Sequence, residues 1–256
     1  MAFVRIVGGT DFSATSFVVT TDVTPTSIPN TSRRPCSLQF SPNISLVTDL
    51  LLPIFPLGVV LFPGTLMPLH LFEPRYRQML ADVRKGDGRF GIIAAIPGVA
   101  ERDMPAGRLG CVAEVTDVEV MPDGRANIIV TGRERFALNA FVEHDAPYHM
   151  ATGTVVSDES GSSAVALAVA ADEVIANFKR VVKAVRTLND DTDPLPELPD
   201  DAAQVAWSVG AMIDLDLNAR YRLLAERSPA ARLTQIDYVL RKAIPDLELQ
   251  AALKAK

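Results

Sequence analysis

The side chains that most often carry out chemistry are scarce in this chain and poorly spaced for it. There are three histidines, His70, His144 and His149, and two cysteines, Cys36 and Cys111. A histidine can act as a general base or a metal ligand. His70 lies inside the apolar run Leu66–Phe72 with no second ligand at a ligand-like spacing, so it reads as a strand residue with a structural role. His144 and His149 stand beside Glu143 and Asp145, where at most a weak surface cation site would form. Cys111 has no basic residue flanking it closely enough to lower its pKa, which makes it a small buried hydrophobe and not a nucleophile. Without a Gly-Lys dipeptide there is no phosphate loop of the G-x-x-x-x-G-K-[ST] type, and neither a G-x-S-x-G elbow nor an H-E-x-x-H helix occurs. No dinucleotide fingerprint is read either. The expectation is no catalytic residue, no metal and no cofactor.

With 256 residues, 48% hydrophobic and 22% charged, the chain can build one large domain or two small ones around a sizeable core. Its net charge of -6 gives no global attraction to phosphate, so nucleic acid is not an expected partner. Two cysteines without the paired spacing of a zinc site fit a reducing, cytoplasmic setting. Residues 1–50 differ from the rest: 15 of them are Ser or Thr, and no apolar face recurs. They read as a mobile leader, or as a start placed too far upstream. From Leu50 to Phe72 there is no charge, yet Pro53, Pro56, Pro63, Pro68, Gly58 and Gly64 suit short strands joined by turns, so no membrane span is expected.

The period of the apolar pattern changes once. Between residues 51 and 157, short runs at 54–57, 66–72, 90–96, 110–121, 126–138 and 148–156 read as strands separated by Pro-Gly and Asp-Gly turns. Asp123-Gly124 is the sharpest of these signals, because a tight hairpin needs a positive φ there. One helix interrupts them, opened by Pro74 and continued by Tyr76, Met79, Leu80 and Val83 on one face. After Gly161 the spacing becomes helical, with helices expected at 163–188, 202–213, 218–226 and from Ser228 onward. Lys179, Arg180, Lys183 and Arg186 form a solvated face of the first, and Trp207 packs in a core. The fold class expected is α+β: a mostly antiparallel barrel over 51–160, then a helical bundle over 161–256.

The run Leu52-Pro53-Ile54-Phe55-Pro56-Leu57, with Val60-Leu61-Phe62-Pro63-Gly64 and Pro68-Leu69-His70-Leu71-Phe72-Glu73-Pro74-Arg75-Tyr76-Arg77, resembles the opening of the Lon protease N-terminal domain family. The likeness continues through Arg89-Phe90-Gly91-Ile92, Gly110-Cys111-Val112-Ala113-Glu114, Asp123-Gly124-Arg125 and Thr131-Gly132-Arg133-Glu134-Arg135-Phe136, and reaches about residue 245. It implies a barrel related to the PUA type plus a helical subdomain, and a role in capturing protein substrates. The ATPase and Ser-Lys peptidase segments of that family's full protease have no counterpart here, so binding is what carries over. The partners implied are unfolded or client proteins, and a protease onto which the module could dock. A small hydrolase with an unrecognised site and a PUA-like RNA binder are the alternatives; the lack of paired motifs opposes the first and the acidic balance the second.

The residues put forward for binding, or as the signature of the resemblance, are Pro56, Phe62, Pro63, Gly64, Pro68, Leu69, His70, Phe72, Glu73, Arg75, Tyr76 and Phe178. An apolar concavity is expected where Pro68–Phe72 meets the helix around Phe178. Each residue also has a role that needs no ligand: Pro63-Gly64 turns the chain, Pro74 starts a helix, and Glu73 favours the positive end of its dipole. Arg75, Arg133 and Arg135 are expected to pair with Glu73 or Glu134.

Overall fold

The computed structural model describes residues 49–255 apart from Ser162. The expectations for the leader and for Cys36 therefore lie outside the described residues. Strands β1 (Asp49–Leu57) and β2 (Leu66–Leu71) precede helix α1 (Pro74–Val83); β3 (Arg89–Ala94), β4 (Leu109–Val120), β5 (Ala126–Val142) and β6 (His149–Val155) follow. The rest is helical: α2 (Ala164–Asn189), α3 (Ala202–Met212), α4 (Leu217–Ala225) and α5 (Pro229–Lys254). β1 begins at Asp49, inside the segment read as leader.

The strands run β2-β5-β4-β3-β1-β6, and β6 also pairs with β5, so five of them close a ring and β2 is attached outside it. The 17 residues of β5 make this possible: Ala126–Thr131 binds β2, and Phe136–Val142 binds β6. The sheet is mixed. β1 and β3 are parallel, because β2 and α1 lie between them in sequence and return the chain in the same direction. At the heart of the ring sits the Phe136 ring, for which Gly91, Gly110 and Gly153 on three strands leave room; a Cβ on any of them would come within 2.6–2.8 Å of it. The β4–β5 hairpin turns at Asp123-Gly124, with Gly124 at φ 83°.

Contrary to the expectation of no dinucleotide fingerprint, the run Gly86-Asp87-Gly88-Arg89-Phe90-Gly91 spells G-x-G-x-x-G. It leads from the end of α1 into β3. A dinucleotide site needs the opposite order, strand then helix, so that the helix N-terminus faces the phosphates. The charge-free stretch 50–72 is β1, β2 and their connection, and among the described residues no helix is long and apolar enough to cross a membrane.

The bundle core gathers Val174, Phe178, Val181 and Val182 of α2, Trp207 of α3, and Leu233, Ile236 and Leu240 of α5. Phe62, from the β1–β2 connection, enters the same core and stacks on Trp207 at 5.3 Å. Barrel and bundle are joined by charge as well. Arg135 of β5 and Arg232 of α5, both buried, converge on Asp158, at 2.5 Å for Arg135 and 2.6 and 2.7 Å for Arg232. Arg135 Nη1 also donates to the carbonyls of Leu224 and Glu226, and the Arg232 Nη atoms to those of Glu226 and Ala203, while Arg232 Nε is buried without a partner among the described residues; Arg232 lies 4.1 Å over the Trp207 ring.

Candidate functional site

Of the residues put forward from the sequence, Pro68, His70 and Phe72 share one exposed surface, the outer face of β2. Gly132 N–H donates to the Thr65 carbonyl at 2.9 Å, which fixes the phase of the β2–β5 ladder. In an antiparallel pair the bonded residues alternate, so Met67, Leu69 and Leu71 turn their backbone groups to β5. Leu66, Pro68 and His70 turn theirs to the free edge of the sheet. A proline is tolerated there because the missing N–H has no ladder bond to make, and it blunts the edge against full strand addition. What the edge offers instead is side chains: Leu66 is 68% exposed and Phe72 44%, with Pro68 exposed between them and Ile129 of β5 half-buried alongside. His70 stacks near Phe72 at 6.2 Å. Its Nδ1 lies 2.8 Å from Asn127 Oδ1, and Asn127 Nδ2 donates to Glu119 at 3.0 Å. That chain orients the imidazole, and Nε2 makes no hydrogen bond among the described residues.

The remaining positions lie away from this surface or are buried beneath it. Phe178 is 1% exposed and belongs to the bundle core, so it cannot line the expected concavity with Pro68–Phe72; the apolar stripe that carries it is consumed by packing on α3 and α5. Phe62 is equally buried. Tyr76 and Pro56 are buried in the barrel half, and Leu69 packs half-buried on the same core. Pro63-Gly64 makes the turn into β2, Gly64 at φ 74°.

Arg75 pairs with Glu73 as expected, at 2.9 Å, and also forks onto Glu101 at 2.6 and 2.9 Å. His149 Nε2 lies 3.2 Å from Glu101, while His144 Nδ1 accepts from the Ala146 N–H. Among the described residues no group of three metal-ligating side chains forms. Arg133 binds Glu114 and Arg135 binds Asp158, so neither takes Glu134, which Arg89 approaches at 3.7 Å. Burial pushes the Arg135 guanidinium below its ordinary value, countered by the charge of Asp158. Burial likewise drives the Cys111 thiol up. Among the described residues no histidine is hydrogen-bonded to a Ser, Thr or Cys side chain.

Residues 51–242 match the family described as the ATP-dependent protease La (Lon) substrate-binding domain. The chain belongs to the Lon substrate-binding domain family. It is 27% identical over 215 residues to Lon protease 2 of Herpetosiphon aurantiacus, covering 83% of this chain and 26% of that protein. The Lon protease of Cytophaga hutchinsonii is 25% identical over 219 residues, covering 80% and 26%. The chain thus spans about a quarter of the length of the curated relatives it matches. The N-terminal domain of the Mycobacterium avium complex Lon protease has a similar fold, with a TM-score of 0.56 at 16% identity, over 75% of this chain and 98% of that one.

Within this Lon-type fold, sequence reasoning missed Leu66 and Ile129 as members of the exposed surface. Leu66-Met67-Pro68-Leu69 is apolar at every position, so alternation gives no phase. The available signal was Pro68 itself, since a proline inside a strand pattern marks an edge.

Proposed function

We propose that this chain is a non-catalytic module that captures exposed apolar segments of client proteins on the outer face of β2, for delivery to proteolysis machinery onto which it docks. The observation that carries the reading is the exposure of Leu66, Pro68 and Phe72 together along β2 and just past its end, at the edge of the sheet, in a family described by substrate binding. Apolar area removed from water contributes roughly 25 cal/mol per Å², which a segment laid over this strip gains without needing any particular sequence. Pro68 keeps the edge from acting as a general template for strand addition, so side-chain burial leads. A cytoplasmic place of work and a relation of the barrel to the PUA type belong to the same proposal.

The test is a titration of an uncharged, extended apolar peptide by fluorescence anisotropy. Binding in the micromolar range, weakly dependent on salt, is expected, because burial is not screened as ion pairs are. Leu66→Ser with Phe72→Ser should weaken it at least tenfold, about 1.4 kcal/mol. Equal binding by the double variant would refute the assignment to β2.

A further inference from the structure

The strip on β2 does not stand alone on its face of the sheet. Register places Leu66 opposite Thr131 and then Glu114, Pro68 opposite Ile129 and then Asp117, and His70 opposite Asn127 and then Glu119. Paired residues project to the same side, and neighbouring strands are about 4.8 Å apart, so a row of three carboxylates runs beside the apolar row at about 10 Å. Their charges are not equal in availability. Glu114 is held by Arg133 at 2.9 Å and Arg89 at 3.3 Å. Asp117 and Glu119 make no ion pair among the described residues; one oxygen of Asp117 accepts the Val118 N–H and one of Glu119 accepts from Asn127. Arg84 lines the shallow groove beside Asp117 without pairing with it.

We propose that the apolar strip and these two carboxylates act as one recognition surface, fitted to an extended segment that carries a Lys or Arg beside its apolar residues. This rests on the reading of β2 as the capture strip. A segment over Leu66, Pro68 and Ile129 brings a lysine stem across β5, its methylenes on Ile129 and its ammonium near Asp117 or Glu119. Segments with acidic residues at the same place meet repulsion. The surface therefore selects among apolar segments by the sign of their flanking charge.

The experiment uses the full chain and three peptides of equal apolar content, one uncharged, one bearing Lys and one bearing Glu. At low salt the Lys peptide should bind roughly two- to fivefold tighter than the uncharged one, and the Glu peptide more weakly, as exposed charge pairs allow. The preference should vanish at about 0.5 M salt and in Asp117→Asn/Glu119→Gln, while the uncharged peptide binds both proteins alike. Equal affinities for the Lys and Glu peptides, or a preference that survives the double variant, would overturn the inference while leaving the strip as capture site. Failure of the uncharged peptide to bind at all would overturn both.

Discussion

Replacing Asp158 by Asn should loosen the joint between barrel and bundle. The carboxylate is 36% exposed, but among the described residues it is the sole anion bonded to Arg135 and Arg232, which are 3% and 0% exposed. Asparagine keeps the shape and one acceptor and removes the charge, leaving two guanidiniums buried together. Removing one partner of a buried pair costs about 3–5 kcal/mol; water entering beside Asp158 and the carbonyls of Leu224 and Glu226 argue for the lower end, about 3 kcal/mol. For a domain of this size that corresponds to a fall in melting temperature of about 6–12 °C. Thermal unfolding followed by circular dichroism measures it. Adding Arg232→Met should restore part of the loss, because a buried apolar side chain does not need the anion. A melting temperature for Asp158→Asn within about 2 °C of the parent would refute the reasoning.

Phe178→Ala should destabilise the fold by about 3–5 kcal/mol as a cavity in the bundle core, whereas Phe72→Ala at the exposed strip should shift it by less than about 0.5 kcal/mol; chemical denaturation distinguishes them. Gly110→Ala should be destabilised by about 1–3 kcal/mol or more, since its Cβ would lie 2.6 Å from the Ile92 carbonyl oxygen and 2.8 Å from the Phe136 ring. Burial raises the pKa values of Cys111, Tyr76 and Tyr148, so above about pH 9 the unfolded chain gives up protons that the folded one retains. Stability measured in denaturant should therefore be present at neutral pH and fall as pH rises past that point; an unchanged value up to about pH 11 would contradict the burial argument.

Much of the architecture is written in local pattern. Pro74 and Tyr76-Met79-Leu80-Val83 set α1, Ser228-Pro229 sets the start of α5, and Asp123-Gly124 sets the β4–β5 turn. These depend on neighbours within a few residues. What local pattern does not encode is which elements meet. The parallel pairing of β1 with β3, and the choice of Asp158 by Arg135 instead of adjacent Glu134, follow from how the chain crosses over itself. The candidate site shows the same division. Pro68, His70 and Phe72 are close in sequence and lie on one exposed surface. Phe178 is buried in the bundle, a placement that local pattern does not show, because a helical apolar stripe looks the same whether a core or a partner covers it.

The most direct test of the capture strip is photo-crosslinking with an uncharged apolar peptide carrying a diazirine side chain, with the labelled residues read by mass spectrometry. The account predicts label concentrated on Leu66–Phe72 and around Ile129, and lost on competition with unlabelled peptide. Competable label centred on the helices, with β2 unmarked, would contradict it.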